Sequence, residues 1–425
     1  MAADWRKQGF DPNLLANRLE KLKHVDPATS VVSFRGFEVE EVVTVLHSAL
    51  SFAEKMPEAI QRQIIMEAAF DRARAGRITG SNLLHEIRKR EASYAHLPQE
   101  RYVLSTSLSV RHFPSLTSTE VSGHRVTYGS LPDRFQRAYE EARSQAEGQI
   151  QGPLPDRGIS SRRYTPARIS VRARSQNEAM EEALEALDLL RGMWNYLLNR
   201  PVGMRSSGGQ RKPVNRIVLG PLYCLHRPTG ELTTASPWID TDYAGSIKPY
   251  NLRWDWPHLK PRTDQIRRAI AGSPYREELE GVVRRYVQAL DQRGWNTSFL
   301  QLWGVLETLT DTSRDRYEVT VSRVLFLTRP DRRDFHRQIL RHLMNYRNRT
   351  VHAGYETPAI EILLYQLKRY VEDCLAFHLW WRPRFGSIGE AARFLDLPPD
   401  PERLKERSRS SRRALRLQER LRGRG

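Results

Sequence analysis

Apolar residues in the last third of the chain recur at intervals of three and four, a period that admits helices and little else. Leu279, Val282, Val283, Tyr286, Val287 and Leu290 outline one amphipathic helix, stopped by Gly294. Phe299, Leu302, Trp303, Leu306 and Leu309 outline the next, with Thr297 or Ser298 as its cap. Val321, Val324, Leu325 and Leu327 give a third. Phe335, Ile339, Leu343 and Tyr346 give a fourth, which runs into Arg347-Asn348-Arg349-Thr350-Val351-His352-Ala353-Gly354. Thr357-Pro358 then opens a last helix through Ile360, Leu363, Leu364, Leu367, Val371 and Leu375. Stripes of this kind must bury their apolar sides against one another. Residues 274–381 therefore predict a bundle of four to five helices.

The period differs elsewhere. Residues 1–97 read as an N-terminal helical region, with Val39, Val42, Val43, Leu46 and Leu50, then Ile60, Ile64, Ile65 and Ala68 after Met56-Pro57. From Tyr102 the interval drops to two: Leu104, Thr106, Leu108 and Val110 alternate with Ser105, Ser107 and Ser109, a strand signature. Val126 and Tyr128 indicate a second strand, and a charged helix follows near Phe135 to Gln149. A connector occupies 151–163. Ala167 to Ala173 reads as a strand, and Ser175 with Glu178 forms a capping box for a helix burying Ala179, Ala183, Leu184, Leu187, Leu190, Trp194 and Leu198. Met204 to Val214 is a loop whose Ser206-Ser207-Gly208-Gly209-Gln210-Arg211-Lys212 lacks the order of glycines, lysine and hydroxyl of a P-loop. Arg227-Pro228-Thr229-Gly230 turns a hairpin between Arg216–Leu225 and Glu231–Ala235. Residues 98–260 thus form a mixed α/β region, possible ground for sensing or regulation. Residues 382–425 make a basic tail, either solvated or bound to RNA backbone. The fold class expected is α+β, predominantly helical.

Charge narrows the partners. The 425 residues carry a formal net charge of +18, with 58 arginines and ten lysines. That balance favours an anionic partner, most simply nucleic acid, although a GC-rich genome enriches arginine regardless of function. Cys224 and Cys374 are the two cysteines and lack metal-ligand spacing, so neither a disulfide framework nor a zinc site is expected. Asp240-Thr241-Asp242 is a weak candidate for a divalent ion and is better read as a polar loop. Met1 to Phe10 has no apolar core of a secretory signal, and no run approaches eighteen apolar residues. The expectation is a soluble cytoplasmic protein without a cofactor.

The motif at 347–352 carries chemistry that suits RNA. A histidine titrates near neutral pH and can take or give a proton. An arginine fork holds a phosphate and offsets charge developing on it. RNA supplies its own nucleophile, the 2′-hydroxyl. The spacing alone means little: at this arginine frequency one or two Arg-x4-His pairs arise by chance, and the chain has three, Arg253…His258, Arg337…His342 and Arg347…His352. The first crosses Trp254, Trp256 and Pro257, a segment expected to be non-helical. The second lies within a helix, where five positions put the side chains about 140° apart. The third is followed by Gly354, where a helix is expected to end. Local unwinding there would let Arg347 and His352 converge. Trp254 and Trp256 are either base-stacking platforms or packing anchors.

The bundle with Arg347-Asn348-x3-His352 resembles the HEPN domains, and within them the ApeA-like branch. Leu302-Trp303-Gly304-Val305-Leu306-Glu307-Thr308-Leu309 is similar to that branch's second helix. Tyr164-Thr165-Pro166 through Leu190-Arg191-Gly192-Met193-Trp194-Asn195 is similar to segments that accompany such domains. The resemblance covers about 274–381. It implies metal-independent endoribonuclease activity, often in defence or toxin systems, and homodimers whose site forms where two motifs face each other. Some relatives keep the bundle and do not cut RNA, which implies the alternative of a non-catalytic RNA- or nucleotide-binding module. On the cleaving reading His352 moves the proton, Arg347 holds phosphate and transition-state charge, and Asn348 orients phosphate or imidazole. Arg349 is a competing RNA-phosphate contact, and Glu307 either pairs with Arg347 or is a peripheral charge. The plainer alternative makes His352 a helix C-terminal cap and Arg347 one surface arginine among many.

Overall fold

The computed structural model describes residues 3–6, 11–26, 28–29, 31–34, 36–111, 117–129, 131–149, 163–201, 213–234, 237–240, 247–312 and 317–422. The chain is α+β and predominantly helical. Four helices come first: α1 (Pro12–Leu22), α2 (Glu38–Ala49), α3 (Glu58–Ala75) and α4 (Gly80–Ala95). Asp11 caps α1 by accepting from the Asn13 and Leu14 amides, and Thr79 with Asn82 makes a reciprocal capping box on α4. Their apolar stripes meet in a core of their own, including Leu19, Val43, Leu46, Ile65, Ala68, Leu83 and Ile87. Two short antiparallel pairings, Asp4–Trp5 with Leu50–Ser51 and Lys23–Val25 with Val32–Phe34, complete this unit; the helical period gives no sign of them.

Of the strands that follow, six build the main sheet: β1 (Glu100–Leu108), β2 (Thr117–Val121), β3 (His124–Tyr128), β4 (Thr165–Ala173), β5 (Leu222–His226) and β6 (Trp238–Ile239). They form one antiparallel sheet in the order β6-β5-β1-β4-β3-β2. The central ladder pairs β1 with β4 from Glu100↔Ala173 to Leu108↔Thr165. Apolar–polar alternation in β1 would ordinarily leave the serine side wet. Here both sides are buried, Ser105 and Ser107 included. Helix α5 (Asp133–Gln149) covers the serine side, seating Phe135, Tyr139 and Ala142 on Val103, Leu222 and Cys224.

Helix α6 (Gln176–Asn199) covers the other side, and 16 of its 24 residues are buried. Ser175 accepts from the Glu178 amide as a cap should, but the Glu178 carboxylate turns to the Arg174 amide at 2.6 Å rather than closing the box. Beyond the sheet lie α7 (Trp256–Ala271), α8 (Arg276–Asp291), α9 (Trp295–Leu309), α10 (Tyr317–Phe326), α11 (Arg333–Ala353) and α12 (Ile360–Trp380). Two local expectations are corrected. Residues from Trp256 are helical, because Pro257 sits in the first turn of α7, where no amide is needed. Helix α9 starts ahead of Thr297 and Ser298, with Gly294 as its cap.

The sheet and the bundle share one continuous core that runs from Leu104 and Ile169 through Leu187 and Trp194 to Val283, Leu306 and Leu367. Helix α6 is its middle layer. Gly192 permits the approach to α8: a Cβ there would lie 2.6 Å from Val283 Cγ1 and 2.8 Å from its carbonyl oxygen. Past the bundle, α13 (Ile388–Leu395) docks through Ala391, Ala392 and Leu395, and Arg323 grips Asp396 with two bonds of 2.7 Å. The basic tail expected from 382 therefore begins with a folded helix. Helix α14 (Pro401–Arg422) follows and buries nothing. Among the described residues no helix is long and apolar enough to cross a membrane.

Candidate active site at the end of the long bundle helix

Helix α11 is long but shallowly held. Of its 21 residues only Leu340, Leu343 and Tyr346 are buried. Tyr346 anchors the last turns: its ring meets Phe299 edge-on at 5.1 Å, and its hydroxyl donates to Asn296 Oδ1. The helix stays helical through Ala353 and ends at Gly354, whose φ of +60° puts it in the left-handed region. The Gly354 amide donates to the Thr350 carbonyl at 3.1 Å, and Thr350 Oγ1 donates to the Tyr355 carbonyl at 3.1 Å. The glycine thus closes the helix beyond the motif rather than loosening it within the motif.

This corrects the expected convergence. With the backbone helical throughout, Arg347 and His352 are about 140° apart on α11, the same separation as Arg337 and His342. His352 lies about 180° from Leu343, so it points away from the bundle core, and it is exposed. Within one copy, its neighbours on that face are Asn348, about 40° to one side, and Arg349, about 60° to the other. Arg347 faces another way, with its guanidinium 4.5 Å from the Tyr317 ring centre of α10. Asn348 lies between the two around the helix and, among the described residues, its side chain bonds to Arg347 alone, accepting from Arg347 Nη1 on Oδ1 at 3.3 Å. Arg349 stacks on Tyr355 at 4.4 Å. These contacts seat each guanidinium against an aromatic ring.

Tyr317 and Tyr355 had no sequence signal as parts of this site. One comes from another helix and the other lies past the glycine. The exposed face also continues along α11 through Asn345, His342, Gln338 and Phe335. Glu307 does not reach Arg347; its carboxylate accepts from Trp303 Nε1 at 2.9 Å. Among the described residues His352 has no hydrogen-bond or ion-pair partner, so the capping alternative gains no contact.

The other candidates separate cleanly. Trp256 is buried edge-on against Tyr128 and Trp194, a packing anchor, whereas Trp254 is 74% exposed with Arg253 stacked on it at 5.2 Å. The 206–212 loop and Thr241-Asp242 lie outside the described residues. Among the described residues no group of three or more His, Cys, Asp or Glu side chains is arranged to hold a metal ion. Arg191 and Asn195, from the segment resembling HEPN companions, build a buried polar joint. Arg191 pairs with Asp188 and Asp291, both at 2.6 Å, and the Asn195 amide donates to the Ile217 carbonyl at 2.8 Å. Asn215 extends the joint to the Val287 carbonyl of α8 at 2.6 Å. Together they tie α6 and the 215–217 segment to α8.

No family model, curated protein or solved structure matches the chain.

Proposed function

We propose that the protein is a metal-independent endoribonuclease that works as a homodimer through α11. The observation that carries this is an incomplete site. One copy presents an exposed His352 flanked by Asn348 and Arg349, while Arg347 faces about 140° away. Two copies related by a two-fold axis would set the His352 of one opposite the Arg347 of the other. One imidazole then takes the proton of the ribose 2′-hydroxyl as that oxygen attacks phosphorus. The protonated imidazole of the partner subunit's His352 gives its proton to the departing 5′-oxygen. The products carry a 2′,3′-cyclic phosphate and a 5′-hydroxyl. Arg347 and Arg349 offset charge on the phosphoryl oxygens, and the net charge of +18 supplies attraction for the backbone. The resemblance to HEPN domains extends the proposal to a growth-arresting defence or toxin effector acting in the cytoplasm.

Incubating the full chain with RNA in EDTA tests the assignment. Cleavage should fall by about 100-fold or more in His352→Ala, and a 2′-deoxy substitution at the cut position should abolish it. Mixing wild type with His352→Ala at equal concentration should leave about a quarter of the activity of the same total amount of wild type, because one cut needs both imidazoles and only a quarter of the dimers carry two. Undiminished cleavage by His352→Ala overturns the site. Half of the activity remaining on mixing overturns the shared arrangement alone, since each copy would then cut by itself. The shallow seat of α11 also suits a binding module without catalysis; that reading requires salt-sensitive RNA binding with RNA left intact.

A further inference from the structure

A second basic site lies far along the chain from α11, at the end of the sheet where β1 begins and β4 ends. Arg101 and Arg172 are direct cross-strand partners there, and Arg125 on β3 pairs with Ser170, two residues from Arg172. Their neighbours Tyr102, Val171 and Val126 belong to the core, so strand alternation puts all three guanidiniums on the face away from α6. Residues directly opposite in an antiparallel pair stand about 5 Å apart at Cβ, and like charges so placed repel. Arg125 is offset by Glu120 at 3.6 Å, and His124 is met by Glu182 of α6 at 2.9 Å. Arg101 and Arg172 have no ion-pair partner among the described residues. The sheet therefore keeps two facing, uncompensated cations side by side.

They line a concavity of about 610 Å³ together with Arg125 and Ser170. Its rim includes Ser122, a non-glycine residue held at φ +50° in the turn between β2 and β3, with a buried Oγ that has no hydrogen-bond partner. The facing guanidiniums repel one another, and an anion with several acceptor oxygens between them relieves that repulsion. The volume is that of a small-molecule site. The carboxylates of Glu120 and Glu182 also line it, which disfavours a phosphate chain running through.

The geometry points to a binding site for a small phosphorylated ligand, with Arg101 and Arg172 clamping its phosphate group. Nucleotides have the matching size and charge.

The test uses the full chain, with calorimetric titration and thermal melting against inorganic pyrophosphate, AMP and ATP at fixed ionic strength, without RNA. Sodium chloride serves as the control for general screening. Saturable binding of one phosphate probe per chain with a raised Tm is expected, and chloride should give neither. Arg101→Ala/Arg172→Ala should weaken binding at least about tenfold, and the unliganded variant should melt no lower than wild type, because the repulsion is gone. Arg137→Ala, an exposed arginine on α5, should bind as wild type does. Absence of binding by every probe, or equal binding by the double variant, overturns the site. Displacement of the probe by single-stranded RNA with affinity growing with length overturns the small-ligand assignment. None of these readouts depends on RNA cleavage.

Discussion

Gly354 and His378 show how single residues set the conditions under which the bundle works. A Cβ at Gly354 would meet open space, so substitution acts through backbone strain alone. Gly354→Ala should cost about 1 kcal/mol, the usual price of placing an L side chain in the left-handed region. Urea denaturation would measure it, with the C-terminal turn carrying His352 fraying first. His378 is buried, with its Nε2 donating to the Leu309 carbonyl at 2.8 Å and Nδ1 accepting from the Tyr275 hydroxyl at 3.1 Å. A carbonyl only accepts, so Nε2 bears the proton and the ring is neutral. Burial pushes its pKa down from 6.5 to about 4. The unfolded chain therefore takes up this proton first on acidification. Stability present above pH 6.5 should decline as the pH falls towards 4, by roughly 3 kcal/mol from this one group. The buried carboxyls of Asp291 and Glu372 are pushed up by burial and titrate in the opposite sense. The comparison is consequently between wild type and His378→Gln, whose melting temperature should depend less on pH across that window.

Among the elements, α6 and α11 are opposites. Helix α6 is enclosed, and its crossing with α8 has no room at Gly192. Gly192→Ala should destabilise by about 1–3 kcal/mol despite its gain in helix propensity, since the methyl group presses on the Val283 backbone as well as its side chain. Gly281→Ala on α8, where the added methyl meets nothing, is the matched control and should be neutral or stabilising in the same melts. Helix α11 is legible in the sequence as a helix, since Leu343 and Tyr346 mark its buried side. Its period also contains the face on which His352 stands. The unwinding expected before Gly354 was a different matter. A glycine at the end of a helix supplies the left-handed closing residue, and that closure preserves the turn before it. The serine side of β1 likewise carried no mark of its covering, because α5 returns to it from more than thirty residues away.

At the scale of the molecule, two large hydrophobic cores divide the chain differently from its changes of period. The first four helices hold one, and the sheet, α6 and α7 to α12 share the other, while α5 sits in a smaller cluster on the serine side of the sheet. Polar contacts connect the two units: the Tyr94 hydroxyl with Glu178 at 3.1 Å, and Lys55 with Glu185 at 3.6 Å. The first is buried, the second is exposed and contributes little, and no apolar core spans the two units among the described residues. Hydrogen exchange read by mass spectrometry should therefore show α1–α4 opening independently, and the sheet opening together with α8 and α9. Separate protection of the sheet and the bundle would contradict a single cooperative core.

Local spacing determined which segments became helices and strands, because burial of one face imposes a period on the chain itself. It also determined that a histidine, an asparagine and two arginines would share the last turns of α11. Only the tertiary structure decided which way they point. The direction of a side chain around a helix depends on what covers the opposite side, here Phe299 and Asn296 beneath Tyr346. The facing arginines of the sheet are likewise a product of strand register, brought together from positions 101 and 172 by a ladder that no local pattern specifies.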